Sequence, residues 1–175
     1  GAYFTSYTRN NIPELGTYAI RSIYRDGNNV LWVGTKGGGL VSVTYLGSTL
    51  QNSRKYTRAD GLLNNSVFAI APGRNGDFWI GTDGRGVNYY DAGRQAIRTL
   101  ASSEFDLSQI ESIYGILQSN DSTLWLATGG NGLFRLHFDR RYAGEYRVTS
   151  LVNYRFTGEP GGIKGNVIYD MVMQG

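Results

Sequence analysis

The sequence predicts an all-β fold, a β-propeller of four-stranded antiparallel blades, with three full blades plus partial blades at both ends. Three observations carry this reading. The decamer LWVGTKGGGL at 31–40 recurs as FWIGTDGRGV at 78–87 and as LWLATGGNGL at 124–133. The tryptophans of these copies, Trp32, Trp79 and Trp125, lie 47 and then 46 residues apart, a period that marks stacked or circular repeats. Twenty-five glycines and 13 tyrosines against three prolines favour short strands joined by tight turns.

Each repeat opens with a hairpin. Aligned on tryptophan, the copies read IRSIYRDGNNVLW (20–32), VFAIAPGRNGDFW (67–79) and IYGILQSNDSTLW (113–125), an apolar run, a polar turn and a second apolar run. A glycine-rich turn follows, and GLVSVTY, GVNYYDA and GLFRLHF supply a third strand. SRKYTR (53–58), AIRTL (96–100) and VNYRFT (152–157) supply the fourth. Residues 3–9, YFTSYTR, read as the fourth strand of a preceding copy, and IYDMVMQG at 168–175 as the first strand of a following one. The blades are therefore assigned to 18–58, 59–100 and 101–157. Residues 1–17 are the end of a preceding blade with its connecting loop, and 158–175 the start of the next. Open blade faces at both ends lead to the expectation that these residues join the remaining blades of a longer parent chain, or pair with further copies of themselves.

The alignment columns have physical content. The third position of the first strand holds Ser22, Ala69 and Gly115, all small, as an innermost strand crowded by its neighbours requires. LWVGT is apolar on both faces, as expected of a strand sandwiched between two blades. Trp32 and Gly34 share a face by period two, so the missing side chain leaves room for the indole or for a neighbour. Ala127 replaces that glycine in the third copy, so the demand there is for small size.

The pattern V-x-x-I, polar turn, L-W-I-G-T-x-G-x-G-L, then Y-T-x-x-D-G-L resembles the two-component regulator propeller repeat. YTRADGLLNNSVFAI at 56–70 and FWIGTDGRGV at 78–87 carry the resemblance most closely. Departures are local: Asn29 and Ser122 stand where the turn glycine kept as Gly76 is usual, Ala127 breaks W-x-G-T, and the loop at 9–17 lacks D-G-L. The resemblance implies the periplasmic sensor domain of a hybrid two-component histidine kinase that detects an oligosaccharide and passes the signal across the membrane. It also implies a non-catalytic segment that meets the membrane only through its parent protein. The alternative is the propeller of a polysaccharide-active enzyme or a protein-interaction propeller, because fold does not fix function.

Other chemistries find little support. The formal charge of +3 is far below a nucleic-acid footprint, so no nucleic-acid partner is expected. Without cysteine there is no disulfide or thiolate site, a composition that fits cytosol and periplasm alike. His137, the sole histidine, sits in an alternating strand and reads as a half-buried strand residue; no metal and no cofactor are expected. GTKGGG and GTDGRG lack the following G-K-[ST] and lead into strands, so they are turns and not phosphate loops. SNDSTLW at 119–125 resembles the aspartate box of sialidases, but its tryptophan comes one residue early and it reads as a hairpin turn. Glu104, Asp106 and Glu111 form no opposed acid pair, and Ser108 with Glu111 reads as a capping box; no catalytic residue is assigned.

Propeller topology places the loops at 9–17, 59–66, 101–111 and 158–166 on one face, together with the glycine turns. That face carries Lys36, Arg58, Asp83, Arg85 and Asn131, with Phe68, Tyr114 and Tyr169 beginning the first strands beneath and Arg21 in the same column. Aromatic platforms beside charged donors suit a sugar, whose C–H faces stack and whose hydroxyls need paired hydrogen bonds. These nine residues are the candidate ligand site. Packing of the same aromatics between blades is the competing reading.

Overall fold

The computed structural model describes residues 6–16, 18–47, 49–140, 145–159 and 162–172. Twelve strands form three four-stranded antiparallel sheets, each in simple sequence order. The first blade comprises β1 (Ile20–Arg25), β2 (Val30–Thr35), β3 (Leu40–Leu46) and β4 (Thr49–Tyr56). The second comprises β5 (Val67–Pro72), β6 (Phe78–Thr82), β7 (Asn88–Asp91) and β8 (Ala96–Thr99). The third comprises β9 (Ile113–Asn120), β10 (Thr123–Thr128), β11 (Leu133–Arg140) and β12 (Tyr146–Tyr154). Helix among the described residues is confined to three single 3-10 turns, Pro13–Leu15, Arg58–Asp60 and Leu107–Gln109.

The blades are joined through the strands that bear the repeat motif. Trp32 is buried against Phe78 and Tyr90 of the second blade, with ring centroids 4.7 Å away in both cases. Trp79 is buried in the same manner against Phe138 and Tyr146 of the third, at 5.0 Å each. Each indole keeps its N–H satisfied: Trp32 donates to Asp26 Oδ2 at 2.9 Å and Trp79 to Gln118 Oε1 at 2.8 Å. Trp125 has no such cover among the described residues and is half-buried, stacked on Tyr154 at 5.8 Å with Arg135 alongside.

The glycine of W-x-G-T serves the neighbouring blade. A Cβ on Gly34 would lie 2.9 Å from the carbonyl oxygen of Val67, and one on Gly81 would lie 2.9 Å from that of Ile113. The inner strand of the following blade therefore passes too close for any side chain. A second joint repeats three times. The N–H of the last glycine in each turn, Gly39, Gly86 and Gly132, donates to Asn65, Ile110 and Asn166 in the loop entering the next copy, at 2.7–2.8 Å.

The loop before the second blade follows its sequence closely. Thr57 and Asp60 form a capping box around the Arg58–Asp60 turn, Gly61 closes it in the left-handed region at φ 104°, and Leu62 is buried. The departures noted in the sequence are absorbed locally. Asn29 takes φ 66° at the position where Gly76 takes φ 84°, a conformation asparagine tolerates. In the third blade the hairpin tightens instead, pairing Thr123 with Asn120 and leaving Asp121 and Ser122 as its tip.

The ends differ from the expectation. Residues 3–5 lie outside the described residues, and 6–9 form no strand. Ile12 and Leu15 instead bury themselves on Val33, Val41 and Val43, covering the face of the first blade turned away from the second. At the other end, 168–172 run without strand pairing; residues 173–175 lie outside the described residues. Its backbone is tied to the third blade by a bridge between Gly129 and Val167 and a hydrogen bond from Ile168 N–H to Thr128 O at 2.9 Å. In the three blades the first strand is held by its W-x-G-T partner, and this segment has none among the described residues.

Candidate functional site

The inner strand of every blade carries the same irregularity. Ile20 pairs with Thr35 and Ser22 with Gly34, so Arg21 is an extra residue with no partner on β2. Phe68 is the extra residue between Val67 and Ala69, and Tyr114 the extra residue between Ile113 and Gly115. A β-bulge of this kind re-aims a side chain that strict alternation would place elsewhere. The bulges are tied down just past the threonine that ends each second strand. Its neighbour's N–H reaches back to the residue before each inner strand, Lys36 to Ala19, Asp83 to Ser66 and Gly129 to Ser112, at 2.8–2.9 Å.

The bulged residues form one continuous row. The Arg21 guanidinium lies 5.9 Å from the centre of the Phe68 ring. Phe68 meets Tyr114 edge-on at 5.3 Å, and Tyr114 stacks on Tyr169 at 5.7 Å with only 7° between planes. The row lines an open cavity of about 480 Å³, whose remaining walls are Lys36 and Asp83 from the glycine turns. Six of the nine sequence-predicted residues thus meet at one place. The aromatics pack on one another along the cavity wall while the tryptophans occupy the space between blades, and Tyr169 remains 75% exposed.

The other three lie outside that lining and serve loops. Arg58 opens the 3-10 turn and donates its backbone N–H to Asn65 Oδ1 at 2.9 Å. Arg85 Nε is 2.7 Å from Glu111 Oε1. Asn131 donates its side-chain amide to the Gln109 carbonyl at 3.0 Å.

One contributor escaped the sequence reading. Ser112, held at φ 50°, donates its hydroxyl to Asp83 Oδ1 at 2.6 Å and fixes that carboxylate at the cavity rim. No sequence signal marks it, since serine rarely adopts that conformation. The acidic segment also differs from its expected form. Asp106, not Ser108, caps the Leu107–Gln109 turn, because Ser108 lies inside the turn and Asp106 precedes it, its carboxylate accepting the Ser108 N–H at 2.9 Å. Hydrogen bonds from the Ser108 hydroxyl and backbone hold the Asp106 carboxyl below its usual pKa. Glu104 pairs with Arg147 at 2.6 Å, so the three acids are directed to separate partners. His137 shares a 3.0 Å hydrogen bond with Thr123 within the third blade.

The fold and its row of bulged residues define a blade-repeat propeller segment with an open, aromatic-walled cavity at the start of its inner strands. Residues 14–37 and 61–84 match the two component regulator propeller family. No curated protein matches the chain. Solved structures do. The chain is similar to the extracellular domain of a protein described as a one component system from B. thetaiotaomicron, with 21% identity, a TM-score of 0.63 and 86% of this chain covered. It is also similar to the extracellular domain of a protein described as a hybrid two component system from the same organism, with 29% identity, a TM-score of 0.57 and 85% of this chain covered. The matched region amounts to 21% and 18% of those chains, so this chain spans about a fifth of their length.

Proposed function

We propose that this segment is the ligand-sensing part of a periplasmic sensor domain in a hybrid two-component histidine kinase, and that it detects an oligosaccharide. The observation that carries the reading is the row Arg21, Phe68, Tyr114 and Tyr169 along one open cavity. Sugar rings present C–H faces to aromatic rings, and Asp83 with Lys36 offers an acceptor and a donor for hydroxyls at the rim. The repeat family and the extracellular setting of the similar structures support the sensor role. Arg58, Arg85 and Asn131 lie outside the cavity lining, and we assign them to contacts with an extended chain of sugars. In the parent protein, the other blades complete the propeller and the signal crosses the membrane through segments outside these residues. The blade boundaries 18–58, 59–100 and 101–157 remain our assignment of the repeat units.

Calorimetric titration with a panel of neutral and acidic oligosaccharides, followed by chromatography of the recovered sugars, tests the reading. Binding with every sugar recovered intact is expected. Cleaved products would favour the enzyme alternative, and a panel without any binder would defeat the sensor reading.

A further inference from the structure

The cavity is unevenly charged. Among the described residues six arginines, Arg54, Arg74, Arg85, Arg94, Arg98 and Arg147, each have a carboxylate partner. The two cations on the cavity wall have none: neither the Arg21 guanidinium nor the Lys36 ammonium makes an ion pair or a hydrogen bond with another described residue. Asp83, the cavity's acid, is already engaged by the Ser112 hydroxyl. Arg21 stands at one end of the aromatic row, over the Phe68 ring, and a guanidinium so placed keeps its N–H edge for a planar anion.

We infer that the ligand is an anionic saccharide, bearing a carboxylate or sulfate that Arg21 and Lys36 take at the first-blade end of the row while its sugar rings lie along Phe68, Tyr114 and Tyr169. The inference rests on the oligosaccharide reading and deepens it. A charged group seated against two unpaired cations in a concave site gains charge-assisted hydrogen bonds that a hydroxyl does not provide. The attraction reaches beyond contact and weakens with salt, because the cavity is open to solvent.

Matched pairs of probes decide the matter: trigalacturonic acid against its carboxyl-reduced form, and a sulfated disaccharide against its desulfated form. Titrations are run at low and at near-molar salt. The acidic member of at least one pair is expected to bind tenfold or more tightly than its neutral partner, and whichever pair responds identifies carboxylate or sulfate. The double variant Arg21→Gln, Lys36→Gln should erase that preference with an unchanged thermal transition, while Tyr114→Ala weakens both members of the pair. Neutral members that bind as well as acidic ones would overturn the inference and leave the saccharide reading standing. Retention of the acidic preference in the double variant would overturn it too. Absence of binding by all four probes and by the wider panel would take both down together.

Discussion

Gly115 sits directly across from Ala127, and a Cβ added to Gly115 would stand 3.3 Å from the Ala127 Cβ and 3.4 Å from the Asp170 Cα. In the first two blades the same pair of positions is filled in the opposite sense, Ser22 across from Gly34 and Ala69 across from Gly81. One member of the pair is always glycine. The chain entering the next copy passes over this point, so the two positions together admit a single small side chain. The space is conserved across the repeats while its owner changes.

Gly115→Ala should therefore destabilise the protein by about 1 kcal/mol, the low end of overpacking costs, because the contact is tight by only a few tenths of an ångström and the added side chain stiffens the unfolded chain. Ala127→Gly should cost about 0.5–1 kcal/mol through backbone freedom. The double variant should recover much of the first loss, giving a coupling of at least about 0.5 kcal/mol in a urea denaturation cycle. Simple additivity would show that the two positions do not share one space.

The tryptophans separate the blades by cover. Trp32 and Trp79 are 3% and 1% exposed between blades, whereas Trp125 is half-buried. Trp79→Ala should cost about 3–5 kcal/mol, a large part of the stability of an ordinary domain. Trp125→Ala, assayed in the same denaturant series, should cost clearly less. Equal losses would mean that the third tryptophan is packed as the others are.

Much of this was legible in the residues, because a repeat turns one pattern into three observations. Trp32, Trp79 and Trp125 fixed the period, and the small column at Ser22, Ala69 and Gly115 located the inner strand. What the pattern could not reveal was the bulge. Alternation assigns Arg21, Phe68 and Tyr114 to a face, but the slip that makes each an extra residue depends on hydrogen bonds from Lys36, Asp83 and Gly129 across the hairpin. The loop roles of Arg58, Arg85 and Asn131 were hidden for a similar reason, since their partners Asn65, Glu111 and Gln109 are set by tertiary placement. Residues 6–9 and 168–172 form no strand because their pattern has no sheet edge among the described residues to pair with.

Gly39 holds φ 90°, and a Cβ there would collide with the Tyr56 carbonyl oxygen while its N–H is committed to Asn65. Gly39→Ala should lower stability by about 1–3 kcal/mol, the range for a strained backbone position. Gly47 at φ 62° has open space around it, so Gly47→Asn serves as the control and should shift the thermal transition little. Equal shifts would remove the argument from close approach.

Burial between Trp32, Phe78 and Tyr56 pushes the Tyr90 phenol up to about 12, with the Tyr56 and Asp26 charges adding to the effect. The folded state therefore keeps this proton when the unfolded chain, with an ordinary tyrosine near 10, has begun to lose it. Stability from this group is complete below about pH 10 and declines as pH rises towards 12. Tyr90→Phe should make alkaline unfolding begin at higher pH, followed by circular dichroism. An unchanged alkaline transition would place that phenol in water.

The central claim is that the bulged residues, one from each inner strand, make the binding surface. Backbone and side-chain NMR of the labelled chain, titrated with the tightest saccharide of the panel, tests it most directly. The account predicts saturable shift changes centred on Arg21, Lys36, Phe68, Asp83, Tyr114 and Tyr169, with the Tyr114 ring protons moving furthest. Changes centred instead on the second groove, lined by Ala101, Ser102, Ser103, Glu145, Tyr146 and Arg147, would contradict it.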